Sequence, residues 1–156
     1  MVSDRIEREI VIDAPPEIVW DVLTRPDHIK AWFADAVEIE VVPGGRGRFT
    51  WVQDAGPAST VVLRVERADP PRYLSYRWNF PEGEEPREGN APLVEFSLSA
   101  EASGTRLRLV ESGIGSLERS EDDKSRYHDD HTHGWDALLA KLVDYASRQR
   151  RERVQP

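Results

Sequence analysis

Three of the chain's four histidines fall within the six residues His128-Asp129-Asp130-His131-Thr132-His133, directly ahead of the apolar run GWDALLAKL (134–142). Imidazoles and carboxylates at this density could bind a divalent cation, transfer protons, or form the polar start of a helix. Helical periodicity narrows the choice. Counting back from Trp135 by four and by seven reaches His131 and His128, which places both on the apolar stripe. His133 shares a more polar face with Asp129, so one regular helix cannot bring all three histidines together. An HxH metal site would need a break near Gly134, since glycine is a poor helix former. His128 and His131 could still hold an ion if Glu111 supplied a third ligand. No HExxH or paired-cysteine spacing accompanies them, and no metal and no cofactor is expected. His128 and His131 are taken instead as residues of a pocket or of packing.

Glu111 is the second chemical candidate. In TRLRLVES (105–112), strand alternation puts Leu107, Leu109 and Glu111 on one face and Arg106 and Arg108 on the other. A carboxylate on an apolar face could hydrogen-bond a ligand, or act as a base with its pKa raised by burial. It could equally mark the sheet rim, meeting solvent or an arginine. Glu111 and His131 are the candidate acid/base pair, and neither is assigned a catalytic role.

The elements that must position these residues follow from the pattern of the whole chain. At 156 residues with 38% hydrophobic and 32% charged content, the sequence fits one soluble globular unit. A net charge of −8 argues against a broad nucleic-acid surface. The absence of cysteine excludes disulfides, thiolate zinc sites and a cysteine nucleophile. With a charged start and no apolar run of membrane-spanning length, the expectation is a cytoplasmic protein without membrane insertion. REIVIDA (8–14) predicts a strand, EIVWDVLT (17–24) and DHIKAWF (27–33) two short helices. Six strand-like runs come next, at 36–42, 47–52, 59–68, 72–80, 92–100 and 105–112, separated by Gly/Pro turn signals. GGRGR (44–48) lacks the GK[ST] of a phosphate loop and reads as a hairpin turn. Ser120 could cap the last helix, whose Trp135, Leu138, Leu139, Leu142, Val143 and Ala146 make an apolar stripe. The order predicts an α+β fold, with a curved antiparallel sheet gripping one long C-terminal helix.

Five stretches resemble one known family: IDAPPEIVWDVLTRPDHIKAWF, VVPGGRGRF, VERADPPRYLSYRW, GTRLRLVESGI and the GW that opens the last helix. They resemble the bacterial relatives of the C-terminal domain of the Hsp90 ATPase activator, within the START-like or SRPBCC ligand-binding superfamily. The resemblance spans about residues 5 to 147 of a single domain covering 1–156, with a basic tail at 148–156. It implies a helix-grip (START/Bet v 1-like) fold, β-α-α-β6-α, whose seven-stranded sheet leaves an apolar cavity beneath the C-terminal helix. The superfamily includes carriers, cyclases, dehydratases and chaperone activators, so the fold alone does not fix an activity.

Three functions are carried forward. The first is binding of a small hydrophobic or aromatic molecule in that cavity, by a monomer or homodimer. The second is a cyclase- or dehydratase-like enzyme using Glu111 with His131, and the third a chaperone or other protein-interaction module. Strand and helix faces nominate Trp32, Phe49, Trp51, Tyr76, Trp78 and Phe96 as ligand-binding residues. Leu109, Glu111, His128, His131, Trp135 and Leu138 complete the set. Phe80 is read as inward and Asn79 as outward on YLSYRWNF.

Overall fold

The computed structural model describes residues 3–154. Strand β1 (Ile6–Ile12) is followed by helices α1 (Pro16–Thr24) and α2 (Pro26–Trp32). Strands β2 (Ala36–Ile39), β3 (Arg46–Trp51), β4 (Ser59–Asp69), β5 (Tyr73–Trp78), β6 (Leu93–Glu101) and β7 (Gly104–Ser112) come next, and helix α3 (Glu121–Val154) ends the chain. The strands form one antiparallel seven-stranded sheet in the order β1-β7-β6-β5-β4-β3-β2. From β2 to β7 this is a meander, as short turns between successive strands favour. β1 and β2 lie at opposite edges, so α1 and α2 carry the chain across the width of the sheet. This is the helix-grip architecture.

Each element forms for a local reason. Pro15 precedes α1 in extended backbone, Pro16 opens it, and Ile18, Val19, Val22 and Leu23 are its buried face. Pro26 starts α2, which buries Ile29 and Trp32. The turn between β2 and β3 needs glycine sterically, because a Cβ at Gly45 would lie 2.0 Å from the Glu40 carbonyl oxygen. Helix α3 is capped by Ser120, whose Oγ accepts the Asp123 N–H at 3.1 Å.

The core lies between the concave face of the sheet and the three helices. Leu74, Tyr76 and Trp78 of β5, Phe96 of β6 and Leu107 and Leu109 of β7 meet Trp135, Leu139, Leu142 and Ala146 of α3 there. The alternation breaks at Asn79, where φ is +60°. Phe80, expected inside, is thereby turned to the opposite face beside Arg48 and Val62. The segment read as a basic tail is also different. α3 continues to Val154, and Arg150 Nη1 ties it to Asp13 Oδ1 at 2.6 Å and the Ser103 carbonyl at 3.2 Å. Residues 155 and 156 of that tail lie outside the described residues.

Leu142 is wholly buried at the centre of this contact. Leu142→Ala is expected to lower stability by about 2–5 kcal/mol, as buried leucine truncations do. A urea titration checks this: the midpoint should fall while the slope stays unchanged.

Candidate functional site

Glu111 is the penultimate residue of β7, yet it is covered rather than open to solvent or paired with an arginine. β7 pairs it with Ile6 of β1 on one side and Val94 of β6 on the other, and its exposure is 0%. An ionised carboxylate in such a place must be matched by donors, and four are present. Oε1 accepts from His131 Nδ1 at 2.9 Å and from Trp135 Nε1 at 2.9 Å. Oε2 accepts from Trp78 Nε1 at 2.8 Å and from the Tyr127 hydroxyl at 2.7 Å. Burial pushes this carboxyl group up. The hydrogen bond and charge of His131, with the bonds from Tyr127 and Trp135, outweigh it and hold the pKa below the ordinary 4.5. Tyr127 is shifted the other way, well above its ordinary value, by burial and the Glu111 charge, and so remains a donor.

The imidazole of His131 is held from three directions. It stacks on Tyr127 with ring centroids 3.8 Å apart at 17°, meets the edge of Trp78 at 5.6 Å, and bonds Glu111 through Nδ1. Tyr127 is itself fixed by Asn79, whose Nδ2 donates to the phenol oxygen at 3.0 Å. The positive φ that displaces Phe80 is what directs Asn79 inward.

On the open side of His131 a cleft of about 310 Å³ lies between the sheet and α3. Phe33, Trp51, Val61, Trp78, Trp135 and Leu138 supply its apolar walls, and Ser59, Asn79, Asp130, His131 and Gly134 the rest. Gly134 leaves open space, with nothing within 4 Å of where a Cβ would stand. Two further depressions share Arg48, Val62, Phe80 and Glu82, and the second of them reaches Val61 and Asn79, which also line the cleft. Both carry the Arg48–Glu82 ion pair, the first also the Arg64–Glu85 pair, and neither has the cluster of aromatic rings found in the cleft.

The structure brings Trp51, Trp78, His131, Trp135 and Leu138 together at the cleft and places Glu111 directly behind them. Phe49, Tyr76, Phe96 and Leu109 are buried in the core beneath it. Trp32 is also core: its Nε1 donates to the Val22 carbonyl at 3.0 Å, and its neighbour Phe33 reaches the cleft instead. His128 is a correction to the inward placement. It lies on the flank of α3 facing the start of β1, with Nε2 3.2 Å from the Arg5 carbonyl. The inward position one turn before His131 belongs to Tyr127, which the sequence reading missed. Its signal was the i, i+4, i+8 series Tyr127, His131, Trp135. α3 runs unbroken through Gly134, and His133 turns back to the Asp129 carbonyl at 2.8 Å. Among the described residues no group of three or more histidine, aspartate or glutamate side chains could hold a metal ion.

The family model described as Activator of Hsp90 ATPase homolog 1-like protein matches residues 13–147, a stretch containing Trp78, Glu111, Tyr127, His131 and Trp135. The chain belongs to this family. Its fold is shared with a Mesorhizobium loti protein of 25% identity and TM-score 0.73, over 97% of this chain and 99% of that one. The Aha1 dimer of Colwellia psychrerythraea has 19% identity and TM-score 0.70, over 93% and 97% of the two chains. DynU16, from the dynemicin biosynthetic locus, has 21% identity and TM-score 0.70, over 95% of this chain and 49% of its own. No curated protein matches the sequence. Among the described residues no helix of this family member is long and apolar enough to cross a membrane.

Replacing Glu111 tests the cluster. Glu111→Gln puts an amide N–H where four donors already converge, and should cost about 3–5 kcal/mol at neutral pH, as breaking a buried pair does. The native pKa is depressed, so the carboxylate's stabilisation is present above 4.5 and lost as pH falls through the lower native value. Urea midpoints should therefore show the gap between wild type and Glu111→Gln closing as pH drops below 4.5. A gap independent of pH would contradict an ionised Glu111.

Proposed function

We propose that this family member binds a small apolar or aromatic molecule in the cleft between the sheet and α3. One observation carries the reading: the indole N–H groups of the three cleft tryptophans are all satisfied inside the protein. Trp51 Nε1 donates to the Phe33 carbonyl at 2.7 Å, and those of Trp78 and Trp135 to Glu111. The tryptophans therefore present no free donor to the cleft, and the partly exposed ring of Trp51 is the main aromatic surface there, which favours flat apolar ligands. Phe33 adds to it, with its ring centroid 5.6 Å from Trp51 and 5.7 Å from Trp135. A volume of about 310 Å³ stands at the small end of the range ligand pockets occupy, roughly 300–1,000 Å³. The ligand is accordingly a compact one of one or two rings. The biosynthetic locus of DynU16 supports a small-molecule role, and the dimer of the Colwellia protein supports a homodimer for this chain.

Gly134 gives a direct test. In Gly134→Leu the new side chain enters the cleft without meeting protein atoms within 4 Å at its Cβ. Leucine also has the better helix propensity, by up to about 1 kcal/mol. The variant should melt no lower than wild type, yet lose tryptophan quenching and the ligand-induced thermal shift with a panel of mono- and bicyclic aromatics. Equal quenching by wild type and variant would remove the cleft as the binding site.

A further inference from the structure

Glu111 is inaccessible to any ligand, and each of its oxygens already accepts two hydrogen bonds. Of the side chains bonded to it, His131 is the one that could carry a proton to and from the cleft. An ionised carboxylate accepts from Nδ1, so a neutral imidazole carries its proton there and its lone pair on Nε2. Among the described residues Nε2 has no hydrogen-bond partner, and the side chain, 22% exposed, lines the cleft. The other histidines differ: His28 bonds a tyrosine, while His128 and His133 bond backbone carbonyls, and none touches a carboxylate. A buried carboxylate that orients one imidazole, whose far nitrogen faces an apolar cleft, is an arrangement suited to moving a proton.

We propose that His131, positioned by Glu111, is a general base that removes the acidic C–H proton beside a carbonyl in a small aromatic ketone held against Trp51, Trp78 and Trp135. The proposal rests on the cleft being the binding site. The C–H electron pair becomes the C=C bond as the carbonyl π pair moves onto oxygen, giving an enolate, and the proton passes to Nε2. The resulting imidazolium is stabilised by the Glu111 charge 2.9 Å from Nδ1. Asn79 lines the same cleft and gives only one of its amide protons to Tyr127, leaving the other for the enolate oxygen. Return of the proton to carbon completes an exchange and its return to oxygen an isomerisation, so no co-reactant is consumed. Such an enolate is also the nucleophile of an intramolecular carbonyl condensation.

The probe is 2-tetralone, a bicyclic aromatic ketone, with binding read by tryptophan quenching and chemistry by loss of its C1 proton signal in deuterated buffer. Wild type should quench and should accelerate exchange saturably above buffer. His131→Ala should still quench while its exchange falls about 100-fold or to the buffer rate, and added imidazole should restore part of it. Quenching with identical exchange in wild type and His131→Ala overturns the proposal but leaves the binding site standing. No quenching by wild type overturns both. Glu111→Gln, where near-UV circular dichroism shows it folded and quenching shows it binding, should lower the saturating rate; an unchanged rate overturns the role of Glu111. Independently of any variant, ring nitrogen shifts of wild-type His131 should show the proton on Nδ1 in the neutral form. A proton on Nε2 overturns the proposal.

Discussion

The carboxylate of Glu111 is the point on which the rest of the structure depends. It joins β7, through its own backbone, to β5 through Trp78 and to α3 through Tyr127, His131 and Trp135. Apolar contact is non-directional, and by itself would let a long helix slide or roll on a curved sheet. Four hydrogen bonds converging on two oxygens allow no such freedom. They fix α3 in both rotation and translation, and the leucines further along then pack in the register this anchor defines. Losing the anchor would leave donors of β5 and α3 facing one another without their shared acceptor, so the cluster stands or falls as a unit.

The same anchor shapes the cleft. Trp78 and Trp135 turn their indole N–H groups towards Glu111 and stack on each other, so that only ring carbon of theirs borders the cleft. Polar satisfaction in the interior and an apolar surface in the cleft are two sides of one arrangement. Gly134 keeps the space open by contributing no side chain, and Phe33, at the end of α2, closes the far wall.

Much of this was legible in the sequence because it depends on local periodicity. Two-residue alternation placed Leu74, Tyr76, Trp78, Leu107, Leu109 and Glu111 inside, and the order of turn signals implied both meander and gripping helix. The errors share a physical origin. An apolar stripe on a helix has two flanks, and periodicity does not say which flank borders a cleft. His128 lies on the flank facing β1, whereas Tyr127 lies on the one facing Glu111. The choice between Trp32 and Phe33 fails similarly, since the last residues of a short helix point in directions set by the chain's turn into the next strand. Asn79 adopts a backbone conformation that few non-glycine residues take, and alternation cannot foresee the resulting reversal. The four donors on Glu111 come from positions 16 to 33 residues away in sequence, beyond any local pattern.

The strand order leaves β2 as an open edge of the sheet. It is only four residues long, with Glu38 in its midst and Glu40 just beyond, both exposed. An edge of that kind presents few free backbone groups and surrounds them with negative charge. Two copies aligned there in antiparallel fashion would set glutamate against glutamate, so the sheet does not readily extend from one molecule into the next. At this edge the most direct route to aggregation is thereby closed.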